Sequence, residues 1–89
     1  MFFPSDGDRI VLTRIGRDGR TTSYIGTATD VMPYQRSSIG GLWLGGWRLT
    51  GHNTATGETK DSYFACTEVL ERYDQGIRQT VRLAAADDE

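Results

Sequence analysis

The chain has 89 residues, of which 37% are hydrophobic and 25% are charged, and its formal net charge is −2 at pH 7. This length supports one compact domain, and this composition favours a folded soluble module over a disordered chain. Nonspecific nucleic-acid binding depends on clustered cations, and a mildly acidic chain with a single lysine lacks them. We therefore expect no binding to generic duplex DNA.

Membrane and secreted classes are also disfavoured. The longest uncharged stretch, residues 37–47, is rich in glycine and serine and too short to span a membrane. The first residues have neither the basic segment nor the apolar core of a signal peptide. A lone cysteine, Cys66, cannot form an internal disulfide, which favours a reducing compartment. We expect a cytoplasmic protein of a bacterial host cell, with no membrane partner.

Residues 9–15 and 21–27 predict the first β-hairpin, because both segments are rich in β-branched residues. Between them, Asp18 and Gly19 are typical of a two-residue type I′ turn, in which both residues need positive φ. This turn places Leu12 opposite Ile25. The region that follows, residues 33–46, contains two glycine pairs and predicts an irregular loop.

Residues 47–66 predict a second hairpin that turns at Thr56 and Gly57. This register separates large apolar side chains from polar ones, as a half-buried hairpin requires. The predicted apolar pairs are Trp47 with Cys66 and Leu49 with Phe64; the predicted polar pairs are Arg48 with Ala65, Thr50 with Tyr63, and His52 with Asp61.

The remaining elements are a short helix, a strand and a tail. Residues 67–73 contain helix-favouring residues, and residues 77–83 alternate apolar and polar side chains with the period of a half-buried strand. The sequence thus predicts a mainly β domain over residues 1–83, a small five-stranded SH3-like or Sm-like barrel with one short helical turn. An OB-like barrel is the alternative. Residues 84–89 predict an acidic flexible tail.

Most catalytic and metal-binding constellations are missing from the sequence. The only cysteine and histidine, Cys66 and His52, fall on opposite faces of the second hairpin in the predicted register, which disfavours a nucleophilic pair. A zinc site needs about four ligands, and the scattered acidic residues predict no paired-carboxylate site. We expect no enzyme activity, no cofactor and no metal.

The polar face of the second hairpin is the best candidate binding surface. A guanidinium, an imidazole, a carboxylate and an aromatic ring on one face could hold an anionic or planar ligand. Ordinary cross-strand pairing of Arg48 with Tyr63 and of His52 with Asp61 is the alternative. Trp43 is either a lid over the barrel end or an exposed anchor for a protein partner. The candidate binding residues are Arg36, Trp43, Arg48, His52, Asp61 and Tyr63.

Several segments between residues 31 and 70 follow one another in the order of a known pattern. They are Val31-Met32-Pro33, Gly45-Gly46-Trp47-Arg48-Leu49-Thr50-Gly51-His52, Gly57-Glu58-Thr59-Lys60 and Tyr63-Phe64. Their order resembles the core of WYL domains, bacterial Sm-like barrels of transcription regulators and defence-associated proteins. Arg48 stands at the position of the family's middle tyrosine, and Thr67-Glu68-Val69-Leu70 lacks the arginine that the family tends to have there.

The expected function is that of a non-enzymatic binding or regulatory module of WYL-like type, with a macromolecular partner or a small regulatory ligand. A protein partner is favoured, and a homodimer is expected because the chain is short. The alternative is an inhibitor encoded by a phage or mobile element. Such a protein would block a host defence complex, in the manner of an anti-CRISPR protein, or a regulatory complex by occupying a partner's site.

Overall fold

A computed structural model of the chain describes residues 2–36, 41 and 43–89. Its five strands form one antiparallel sheet in the order β4-β3-β2-β1-β5. This confirms the predicted mainly β fold, a small five-stranded barrel-like domain with one short helix. The elements are β1 (Arg9–Ile15), β2 (Thr21–Arg36), β3 (Trp43–Asn53), β4 (Thr59–Ala65), α1 (Thr67–Tyr73), β5 (Arg78–Leu83) and a 3-10 turn (Ala86–Asp88).

The inner face of the sheet forms the core, because every second residue of each strand points toward it. Phe3 packs edge-on against Trp47, with ring centroids 5.4 Å apart, and so brings the N-terminal segment onto the core. The predicted burial of the second hairpin's apolar face is confirmed. The buried cluster consists of Ile10, Leu12, Ala28, Trp47, Leu49, Phe64 and Cys66.

The predicted turn and register of the first hairpin are wrong. The connection between Gly16 and Arg20 has three residues, and Gly19, at φ 81°, is its only residue with positive φ. Leu12 consequently lies opposite Tyr24 rather than opposite Ile25. A shift of one residue moves Ile25 to the outer face of the sheet.

The register of the second hairpin is shifted by two residues from the prediction. Trp47 lies opposite Phe64, Arg48 opposite Tyr63, and Thr50 opposite Asp61. The cause is a longer turn, in which Asn53 donates its backbone N–H to the Glu58 carbonyl at 2.8 Å. Because the shift is even, each side chain keeps its predicted face while its cross-strand partner changes.

The loop predicted for residues 33–46 is partly wrong, because β2 continues to Arg36 and β3 begins at Trp43. Two irregularities in the β2–β3 register make this possible, one before and one after Met32. Pro33 lies within the second, where its missing N–H removes no ladder hydrogen bond. Residues 37–40 and 42 of the predicted loop lie outside the described residues.

The helix has the predicted bounds, Thr67–Tyr73, and Asp74 ends it by donating its N–H to the Leu70 carbonyl at 2.7 Å. Residues 84–89, for which the sequence suggested a flexible tail, contain the 3-10 turn. Ion pairs of Arg82 with Asp88 and of Arg9 with Glu89, each at 2.7 Å, hold this segment to the sheet. None of the described helices is long and apolar enough to cross a membrane.

Candidate functional site

The outer face of the β3–β4 hairpin presents an ion pair. Arg48 donates from Nε to Oδ1 of Asp61 at 2.7 Å and from Nη2 to Oδ2 at 3.1 Å. Asp61 accepts both of these hydrogen bonds. In the observed register it lies opposite Thr50 and not opposite His52. The hydrogen bonds from Arg48 lower the pKa of the Asp61 carboxyl and raise that of the guanidinium. Both charges are therefore already paired on an exposed surface.

The other two residues predicted for this face do not join the ion pair. Tyr63 is 51% exposed and lies opposite Arg48, and its partial burial raises the pKa of its hydroxyl. His52 is exposed and lies opposite Thr59, so the predicted bond between His52 and Asp61 is wrong. The predicted surface is thus one arginine–carboxylate pair beside a tyrosine, with the histidine toward the far end of β3.

Trp43 belongs to a separate aromatic cluster at the opposite end of β3. Its ring stacks on Tyr34 of β2, with centroids 5.3 Å apart and planes 9° apart. The guanidinium of Arg72 from α1 lies 4.9 Å from the Trp43 ring centroid, in a cation–π arrangement. We call these three residues, Tyr34, Trp43 and Arg72, the aromatic stack.

The aromatic stack lies outside the apolar core. Trp43 is half-buried and does not belong to the aromatic residues that pack on the core, whereas Phe3 does. Tyr34 is 38% exposed. Arg36 pairs with Trp43 across the β2–β3 ladder and is exposed. The sequence prediction named Trp43 and Arg36 as separate binding residues, and it missed Tyr34 and Arg72.

Cys66 has the environment of a core residue. Its side chain is 1% exposed, and burial raises the pKa of its thiol, which disfavours the nucleophilic thiolate. His52 lies on the opposite face of the sheet from the core in which Cys66 is buried. Within residues 2–36, 41 and 43–89, no three His, Cys, Asp or Glu side chains form a group that could hold a metal ion.

A cleft of about 300 Å³ opens where the inner face of the barrel meets solvent, and the sequence prediction missed it. We call it the barrel mouth. It lies between β4 and the tip of the first hairpin, where β1 ends and β2 begins. Its principal lining residues are Arg14, Asp18, Arg20, Tyr24, Lys60 and Phe64.

Cations and aromatic rings alternate in the barrel mouth. The Arg14 guanidinium lies 4.6 Å from the Phe64 ring centroid. The Lys60 ammonium lies 5.4 Å from the Tyr24 centroid and 5.7 Å from that of Phe64. Burial lowers the pKa of Arg14, because desolvation disfavours its charged form. Arg14 is thus a partly desolvated cation that an anion would stabilise.

Arg14 is oriented by a buried amide. Gln79 of β5 is 7% exposed and accepts a hydrogen bond from Arg14 Nε at 2.6 Å. Its own amide donates to the Ala65 carbonyl at 3.0 Å. The sequence contains a signal for this site. Ile10, Leu12 and Arg14 are every second residue of β1 and therefore lie on the same face of the strand. A charged residue at a core-facing position marks the place where the core ends.

No protein-family model, curated protein or solved structure matches the chain. Its function is therefore inferred from its own side chains.

Proposed function

We propose that the protein is a non-enzymatic β-barrel binding module, of the type that its resemblance to WYL domains suggests, and that it binds a protein partner through the aromatic stack. The observation that carries this proposal is the convergence of Tyr34, Trp43 and Arg72 from three different elements, outside the core. Tyrosine, tryptophan and arginine are the residue types most enriched at the energetic centres of protein interfaces.

The organisation of the stack supports a role in contact with a partner. Stacking on Tyr34 fixes the Trp43 ring before any partner binds, so less conformational entropy is lost on association. Arg72 keeps its cationic group at the same surface, where a carboxylate or carbonyl of the partner could accept from it. The neighbouring Arg36 adds a second exposed cation. We therefore expect an acidic contact surface on the partner.

The absence of enzyme activity is part of the proposal. It is supported by the burial and raised pKa of the Cys66 thiol, and by the position of His52 away from it. The outer ion pair of Arg48 and Asp61 supports a structural role for these two residues, since each satisfies the other.

Affinity capture from a bacterial lysate tests the proposed partner binding. The wild-type chain, Trp43→Ala and Arg72→Ala are compared with Tyr73→Ala, which removes an aromatic ring that is 58% exposed on the same helix. We expect one stoichiometric protein to be retained by the wild type and by Tyr73→Ala, and to be lost from the two stack variants. Calorimetry with the identified partner should then show at least about tenfold weaker binding for Trp43→Ala.

Capture that does not depend on Trp43 and Arg72 would contradict the proposal, as would the retention of no protein. A captured defence or regulatory complex whose activity falls when the chain binds would identify the module as an inhibitor. That outcome would keep the aromatic stack as the contact surface.

A further inference from the structure

We propose that the barrel mouth binds a small organic anion, a phosphate or carboxylate carried on a flat apolar group. This site is separate from the aromatic stack and does not depend on it. Its volume of about 300 Å³ is at the lower end of the range for small-molecule sites, which favours a ligand of few atoms over a polymer. The mouths of β-barrels are common positions for such sites.

The charge of the expected ligand follows from the charges in the cleft. Arg14, Arg20 and Lys60 line it, and the only carboxylate among its described lining residues is Asp18. Asp18 is paired with Arg20, at 3.6 Å between Oδ2 and Nε. No carboxylate of the described residues forms a salt bridge with Arg14 or Lys60. The carboxylate that acts on Arg14 is that of Asp74, which is itself paired with Arg17 and forms no salt bridge with Arg14. An anion in the cleft would therefore give Arg14 and Lys60 a direct partner.

The geometry of Arg14 favours recognition of an oxyanion. Because Gln79 engages Nε, the two terminal nitrogens keep their donors for another group. Phe64 supports the guanidinium plane and Gln79 fixes its orientation, so the donors are held in place before a ligand arrives. A guanidinium held in this way forms charge-assisted, paired hydrogen bonds with phosphate or carboxylate oxygens.

The apolar part of the ligand is indicated by the two rings of the cleft. Tyr24 and Phe64 lie 5.7 Å apart between centroids, at an interplanar angle of 48°, and both line the cleft. Flat groups pack favourably on aromatic rings. A ligand with an aromatic ring next to its anionic group would contact these rings while its charge meets Arg14 and Lys60.

NMR titration of the whole chain tests this site, using phenyl phosphate and benzoate as anionic probes and phenol as the neutral analogue. We expect saturable shifts of the backbone amides around Arg14, Tyr24 and Lys60, with a dissociation constant of about a millimolar or tighter for at least one anion. The tighter of the two anions identifies the group that the site prefers. Phenol should bind at least about tenfold more weakly.

Two variants and two controls locate the binding. Arg14→Gln and Lys60→Gln should each weaken the anion at least about tenfold, whereas Arg48→Gln and Trp43→Ala should leave it unchanged. The dispersion of each variant's amide spectrum reports whether the variant folds. If Arg14→Gln does not fold, Lys60→Gln provides the test, because Lys60 is half-exposed. Equal binding of phenol, unaltered binding by folded Lys60→Gln, or no saturable shift with either anion would overturn the proposal.

Discussion

Trp47 is the largest side chain among the residues that are almost completely buried, with 1% of its surface exposed. Replacing it with alanine removes the contact with Phe3 and leaves a cavity in a small core. We expect Trp47→Ala to lower the free energy of unfolding by about 3–5 kcal/mol, measured by urea denaturation. Trp43→Ala is the matched control, because Trp43 is half-buried and lies outside the core cluster. A loss below about 1 kcal/mol for Trp47→Ala would contradict the assigned core.

Asp88 links stability to pH. Arg82 donates to both of its carboxylate oxygens, at 2.7 and 2.8 Å, and the Ala85 N–H donates at 2.6 Å. These bonds lower the pKa of the Asp88 carboxyl, the largest contribution coming from Arg82. A carboxyl whose pKa is lower in the folded state stabilises that state above its unfolded pKa, and this stabilisation is lost as the pH falls.

We therefore expect Asp88→Asn to lower the melting temperature at neutral pH and the difference from wild type to shrink below about pH 4. Thermal unfolding followed by circular dichroism across this pH range measures it. Asp87→Asn is the control, because Asp87 is exposed and belongs to the same 3-10 turn. Parallel curves for wild type and Asp88→Asn would show that the Arg82 bond does not stabilise the folded chain.

Strands β2 and β3 approach closely where two glycines face each other. Gly26 pairs with Gly51, and a Cβ atom on Gly51 would collide with the Ile25 carbonyl oxygen and with the Gly26 backbone. We expect Gly51→Ala to cost about 1–3 kcal/mol in urea unfolding, because one strand must move away from the other. His52→Ala, at the exposed neighbouring position, should change stability far less. Comparable effects of the two substitutions would contradict this close approach.

Gln79 connects elements that the strand ladder leaves unpaired. The order of the sheet places β4 and β5 at opposite edges, and the Gln79 amide joins Arg14 of β1 to the Ala65 carbonyl at the end of β4. We expect Gln79→Ala to cost about 1–3 kcal/mol in denaturation, because the half-buried Ala65 carbonyl and the half-buried Arg14 guanidinium lose their partner. The exposed neighbour Thr80 provides the control substitution, Thr80→Ala. An equal cost for both would show that the bridge contributes nothing.

At the scale of the whole molecule, five of the nine arginines are already paired with carboxylates among the described residues. Carboxylates within the described residues pair with Arg9, Arg17, Arg20, Arg48 and Arg82. Phosphate contacts would have to displace these pairs, and the net charge of −2 opposes binding of a polyanion. We expect no gel shift of generic duplex DNA at about 0.15 M salt. A dissociation constant well below a micromolar would show that the arginines form a phosphate-binding track.

The sequence by itself determined the elements whose signals are local. The bounds of α1, the existence of the two hairpins and the inward face of the second one all follow from helix propensity and a period of two. The alternation of apolar and polar residues predicts which face of the sheet a side chain occupies, but it does not predict which residue of the neighbouring strand lies opposite. For that reason the second hairpin could shift by two residues and keep its predicted core.

Only the tertiary structure decided the registers and the two candidate sites. The first hairpin is ambiguous in sequence because both of its faces bury apolar residues: Leu12 is 0% exposed on the inner face, and Ile25 is 2% exposed on the outer. Ile25 lines the same groove as Asp87 and Asp88, which belong to a segment far along the chain. The aromatic stack joins β2, β3 and α1, and the barrel mouth joins β1, β2 and β4. These contacts depend on turn length and strand order, which bring distant residues together and which no local pattern specifies.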